Sequence, residues 1–173
     1  MAMENVQLDH NHHRQKVEKY PVCFLAHDME VPMNIGSLFR IADALGIEKI
    51  YLSGSSPSPP NGKIKKTSRS TEKYVPFSYE DNPLTLVARL KQEGYRIISL
   101  EITSSSLDIR DLALSGNEKV CLILGSENSG VCRPLLDASD KIVHIPMVGV
   151  NSSMNVATAC SIATFEIVKR FLS

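Results

Sequence analysis

Three short stretches of this sequence hold the side chains best suited to act on a small ligand. Asn34–Arg40 (NIGSLFR) carries an amide and, further along, a guanidinium. Leu124–Gly130 (LGSENSG) sets one carboxylate, Glu127, inside a turn bounded by glycines. Ile145–Asn155 (IPMVGVNSSMN) joins an apolar, proline-stiffened lead to a run of amides and hydroxyls. These types suit binding and alignment. Arginine stays protonated, so Arg40 could hold a phosphate or favour an oxyanion but could not serve as a simple base. Gly125 would let a ligand come close to backbone, and Gly130 would close the turn. Each stretch also has a plainer reading. Glu127 could simply face solvent, a glycine turn can merely connect strand to helix, and Ser152, Ser153 and Asn155 could do no more than cap a helix.

The elements that must position these groups follow from apolar patterning. Residues 22–26, 47–52, 95–100, 120–124 and 142–145 are short apolar runs of the kind found in strands buried on both faces. Between them lie helical segments. One starts near Asn34, a favourable N-cap type, and ends before Gly46. A second covers 83–93, with Pro83 near its start and Gly94 after it. Shorter ones fall at 107–114 and 133–138, and a long last helix at 151–171. Such alternation predicts an α/β fold with a parallel sheet covered by helices on both sides. The C-terminal edge of that sheet is where ligands bind, and the Gly125 turn and the 145–155 loop both fall there. In the first helix Ile35, Leu38, Phe39, Ala42 and Leu45 share one face, which turns Arg40 away from the core, on the same side as Gly36.

Composition narrows the function classes. Lysine plus arginine equals aspartate plus glutamate, 19 each, so any nucleic-acid contact must rest on a local patch. Lys63, Lys65, Lys66 and Arg69, with Lys73, form such a patch in a Ser/Pro/Gly-rich stretch without periodicity, and they are candidate phosphate contacts or a solvated face. Cys23, Cys121, Cys132 and Cys160 form no metal-ligand spacing and look like small buried hydrophobes, as in a reducing compartment. Residues 1–19 read as a polar arm in which Asp9, His10, His12 and His13 cluster without a clear metal set; residues 20–173 read as one domain. No apolar run is long enough to span a membrane, and a cytoplasmic protein is expected. There is no GxGxxG, P-loop, GxSxG or HExxH motif.

Taken together and in order, Asn34–Ala42, Leu124–Gly130 and Ile145–Met147 with Ser153–Ala157 resemble the three motifs of SpoU/TrmH RNA methyltransferases, a branch of the SPOUT superfamily. Met154 stands where leucine is commoner, a change that conserves volume. The resemblance implies methyl transfer from S-adenosylmethionine to a ribose 2′-OH of tRNA or rRNA, without a metal. It also implies a homodimer and a deep C-terminal trefoil knot, which patterning alone would never suggest, since threaded chains are rare. On this likeness Arg40 would be the catalytic arginine, with Asn34, Glu127 and Asn155 supporting the site and the ribose. Leu100, Gly125, Ile145, Met147, Ser153 and Met154 would line the cofactor pocket. Lys63, Lys65, Lys66 and Arg69 would meet RNA.

The last helix is apolar nearly all round, which fits deep burial or a second subunit, and Ala157, Ala159 and Ala163 favour a close-packed dimer interface. The chain has little room for a separate RNA-binding domain, and a minimal enzyme acting on tRNA is the expectation by analogy. The alternative is a non-catalytic RNA-binding protein that kept the fold.

Overall fold

Strands buried on both faces need helices on both sides of their sheet, and the chain supplies them. The computed structural model describes residues 19–172. In chain order these form β1 (Tyr20–His27), α1 (Pro32–Ala44), β2 (Ile47–Ser53), α2 (Gly62–Ser68), β3 (Phe77–Glu80) and α3 (Pro83–Gln92). Then come β4 (Tyr95–Leu100), β5 (Leu107–Asp108), β6 (Lys119–Leu124), α4 (Arg133–Ala138), β7 (Lys141–His144) and α5 (Val156–Val168). The strands make one seven-stranded sheet in the order β3-β2-β1-β6-β4-β7-β5, every pairing parallel. Apart from Lys19, the polar arm expected over residues 1–19, with its histidines, lies outside the described residues.

Strand alternation divides the core between the two faces. Val22, Phe24 and Ala26 of β1 pack with Ile35, Leu38 and Phe39 of α1 and with Cys160, Ala163 and Ile167 of α5. Cys23 and Leu25, on the other side of the same strand, pack with Leu86, Val87 and Leu90 of α3 and Leu135 of α4. The cysteines are free, and three of them are buried. Burial pushes the Cys160 thiol up to about 12, which leaves it a packing group rather than a nucleophile.

Several expectations need correction. Asn34 does not cap α1: the helix opens at Pro32 after Val31, which gives no side-chain cap, so the Asn34 amide sits within the first turn. The basic stretch is partly helical. Asn61 caps α2 by accepting from the Lys63 and Ile64 amides at 2.9 and 3.2 Å, a local signal masked by the prolines before it. Two strands, β3 and β5, add to the five expected; both are too short to show a period, and the short helix expected over 107–114 is β5 followed by a single 3-10 turn. The last helix starts at Val156, not near Asn151. Its small residues do not form an outward stripe, since Ala157 and Ala163 are buried and Ala159 lines a cavity. Outward on α5 are Ile162 and Phe165, the latter 59% exposed.

Candidate active site

The ends of β1, β6, β4 and β7, neighbours in the sheet, deliver four loops to one edge. The loop after β6 is locked by its own backbone. The Ser126 amide donates to the Gly130 carbonyl at 3.0 Å, and the Gly130 amide returns to Ser126 at 2.9 Å. A Cβ on Gly125 would stand 2.2 Å from the Gly130 carbonyl carbon and oxygen. Glycine at 125 is therefore demanded by the turn itself, where the sequence pointed to room for a ligand. Gly130 takes φ +69°, and a Cβ there would strike the Glu101 carboxylate. Glu101, just past β4, seals the turn by accepting from the Val131 amide at 2.8 Å. Sequence reasoning missed Glu101. Its one signal was its place immediately after a buried parallel strand.

Glu127 does not face solvent unengaged. Its carboxylate accepts from the Glu30 amide at 3.1 Å, the Val31 amide at 3.2 Å and the Asn34 side-chain amide at 2.8 Å. It thereby places a negative charge at the amino end of α1, where the helix dipole favours one and where Val31 offers no cap. Asn34 passes the link on, accepting at Oδ1 from Asn155 Nδ2 at 3.0 Å. Asn155 in turn caps α5, its Oδ1 accepting from the Ala157 and Thr158 amides at 2.9 and 3.2 Å. One residue from each motif thus enters a single hydrogen-bonded chain from the β6 turn through α1 to α5. The cap is Asn155 alone; Ser152 and Ser153 lie outside the helix, exposed, on a cavity wall.

That cavity, about 620 Å³, opens between the locked turn and the segment after β7. Leu100, Gly125, Ile145, Met147, Ser153 and Met154 all line it, as do Glu101, Glu127 and Asn155. His144 borders it too, with Nδ1 and the Ser106 hydroxyl 2.9 Å apart. The second wall differs in kind. Among the described residues, no hydrogen bond joins residues 146–154 to anything else.

Arg40 stands outside this lining. It is exposed, and its side chain makes no ion pair or hydrogen bond among the described residues. The side chains of Lys63, Lys65, Lys66 and Arg69 are equally without such partners there, and they lie on or beside α2. α2 packs directly on α1: a Cβ on Gly36 would meet the Ile64 carbonyl and the Thr67 Cβ at 2.8 Å. Because Gly36 and Arg40 are one helical turn apart on one face, the free arginine and the basic helix share a side of α1.

Residues 21–165 match the SpoU rRNA methylase family along their whole run. The chain belongs to that family. It is 29% identical over 142 residues to a Staphylococcus haemolyticus protein assigned by name to the TrmH family of tRNA/rRNA methyltransferases. That match takes in 82% of this chain and 56% of the relative, so the chain spans little more than half the relative's length. Its fold matches an AdoMet-bound rRNA methyltransferase from Sinorhizobium meliloti, TM-score 0.80 at 24% identity, over 88% of this chain and 57% of that one. A protein described through the 2-OH methylation of C/U34 on tRNA also matches, TM-score 0.73 at 23% identity, over 88% of this chain and 98% of that one. The three motifs of this SpoU-family chain all fall inside the matched run. Among the described residues no cluster of three potential metal-ligating side chains occurs, and no helix is long and apolar enough to cross a membrane.

Proposed function

We propose that this SpoU-family chain transfers a methyl group from S-adenosylmethionine to a ribose 2′-OH of tRNA or rRNA. The observation that carries the reading is the chain Glu127–Asn34–Asn155, which ties the cavity's two ends to the helix bearing Arg40. The cavity suits the methyl donor. Its volume is in the usual range for small-molecule sites, about 300–1,000 Å³. Leu100, Ile145, Met147 and Met154 give it apolar surface, and the backbone of 146–154 has donors and acceptors to spare. When bound, S-adenosylmethionine supplies a methyl group already activated by its positive sulfur.

The chain's own task is then alignment. Glu127 and Asn34 fix the start of α1, which sets where Arg40 stands. The Arg40 guanidinium, charged and uncommitted, would take the phosphate beside the target ribose and stabilise the developing alkoxide, while the phosphate or a water accepts the proton. Lys63, Lys65, Lys66 and Arg69 extend that cationic surface along α2 for the RNA strand. The neighbour described through C/U34 of tRNA keeps tRNA among the candidate substrates, beside the rRNA named for the Sinorhizobium meliloti neighbour.

The same reading includes residues 20–173 working as one methyltransferase domain, in the cytoplasm, as a homodimer with a trefoil knot. A dimer is supported by exposed Ile162 and Phe165 on α5 and Met33 on α1, apolar surface that a second copy would cover. Arg40 could then complete the partner's site. The knot is supported by β7 lying between β4 and β5, which precede it in sequence, and by the chain after α5 returning to the β5–β6 crossover, where Arg170 Nη2 reaches the Arg110 carbonyl at 3.3 Å.

Calorimetry tests the enzyme reading: S-adenosylmethionine should bind, and no heat at millimolar ligand would leave only an RNA-binding protein. Arg40→Ala should abolish transfer to tRNA while cofactor affinity holds; equal loss of both would overturn the role given to Arg40. A monomeric mass by light scattering would refute the dimer. Mapping ribose methylation in RNA from cells lacking the protein would name the nucleotide.

A further inference from the structure

A second hollow, about 560 Å³, lies against α2 and shares no lining residue with the cavity already described. Pro59, Pro60 and Phe77 give it an apolar floor, and Lys65, Lys73 and Glu72 stand on its walls. The Phe77 ring is held edge-on against Phe39 of α1 with centroids 5.5 Å apart, so it is braced by the core. The Glu72 carboxylate is engaged by the Ser68 hydroxyl, whereas the Lys65 and Lys73 side chains have no hydrogen bond or ion pair among the described residues. Flat apolar surface beside two free ammonium groups complements a nucleotide: the base lies on the floor, and its phosphates meet the lysines. A wholly apolar ligand would leave both ammonium groups facing it without a counter-charge.

We propose that this hollow is a nucleotide subsite, holding one unstacked base of the RNA substrate away from the methylated residue. The inference rests on the reading of the chain as an RNA methyltransferase and adds a contact that none of the three motifs contains. Its place suits that role. α2 forms one wall of the hollow and presses on Gly36, one turn from Arg40. RNA brought to Arg40 would lie close to α2, and a base captured beside that helix would add a contact to a base as well as to the backbone. Phosphate contacts alone would position the strand but would read no base along it.

The test uses fluorescein-labelled unmodified tRNA, with affinity measured across a salt series. Lys65→Ala with Lys73→Ala should weaken binding about ten-fold and flatten the salt dependence by roughly two released ions. Phe77→Leu keeps apolar bulk against Phe39, so it should weaken binding about five-fold with the salt slope unchanged, the mark of lost stacking. Thiouridine-substituted tRNA, crosslinked to the unaltered chain, should attach to peptides containing Pro59–Pro60 or Phe77. If the unaltered chain binds tRNA but Phe77→Leu binds as tightly, or crosslinks fall only elsewhere, the subsite is wrong and the RNA reading stands. If the unaltered chain binds no tRNA, both fall together.

Discussion

The two walls of the main cavity are built on opposite terms. The wall at 125–131 is finished before any ligand arrives: glycines allow the backbone to cross itself, Ser126 and Gly130 bond reciprocally, and Glu101 and Glu127 tie the turn to β4 and α1. The wall at 146–154 makes no hydrogen bond among the described residues, and Val148 and Val150 stand fully exposed. A ligand meeting the first wall finds fixed geometry. At the second it must order chain, which lowers net affinity but lets that wall close around its occupant. The anchored wall also carries the link to Arg40's helix, so alignment rests on the hydrogen-bonded side.

The largest effect should come from breaking the fixed wall. Gly125→Ala puts a Cβ 2.2 Å from backbone that cannot step aside, and should cost about 3 kcal/mol by urea unfolding. A loss below about 1 kcal/mol would mean the turn is not locked by that crossing. Glu127→Gln replaces a carboxylate accepting from three donors with a group that can accept at one oxygen only. It should cost about 2 kcal/mol and lower methyl transfer more than S-adenosylmethionine affinity. Unchanged stability would remove Glu127 as the strut of α1.

Hydrogen exchange compares the walls directly. The amides of Ser126 and Gly130 should be protected and those of 147–154 nearly unprotected, with S-adenosylmethionine slowing only the second set. Slow exchange at 147–154 without ligand would end the contrast. Val150→Ser should shift stability by no more than about 0.5 kcal/mol, since that side chain packs on nothing.

The smallest effect concerns the strand feeding the loose wall. Burial alone would raise the Asp140 carboxyl, but the Lys91 ammonium at 2.8 Å and the Ile97 amide at 2.8 Å outweigh it and hold it below its ordinary value. A carboxyl lowered in the folded state stabilises above its unfolded value, about 3.9, and the gain is lost as pH falls through the folded one. Asp140→Asn should therefore remove part of the acid-side slope of stability below about pH 4, and only a little, because the pair is more than a third exposed. An identical acid slope in the variant would show that Asp140 does not anchor β7.

Particular residues show how much was legible. β1 announced itself because Val22–Ala26 is apolar without a break, as a strand buried on both sides must be. β3 and β5 did not, because four and two residues at the ends of a sheet carry no period. Asn34 reads as a cap by its type and as a site residue by motif likeness, and only the first reading fails. Its type suits a cap, but its amide is spent across the fold on Glu127 and Asn155, distant in sequence. Ala157 and Ala163 suggested a small-residue seam toward another subunit, yet both are buried within the described fold, Ala163 in the core under the sheet. The six residues matched to a cofactor pocket were named from motif likeness, and they line one cavity because their strands end side by side.

The sequence by itself determined strands β1, β2, β4, β6 and β7 and the helices over α1 and α3, the side of α1 on which Arg40 stands, and the family, because period, glycine placement and motif order are local properties. Only the tertiary structure decided the sheet order, the engagement of Glu127, the sealing by Glu101 and the contrast between the walls. Those depend on which distant backbone groups lack a partner, and a chain's unmet donors are known only once it is folded.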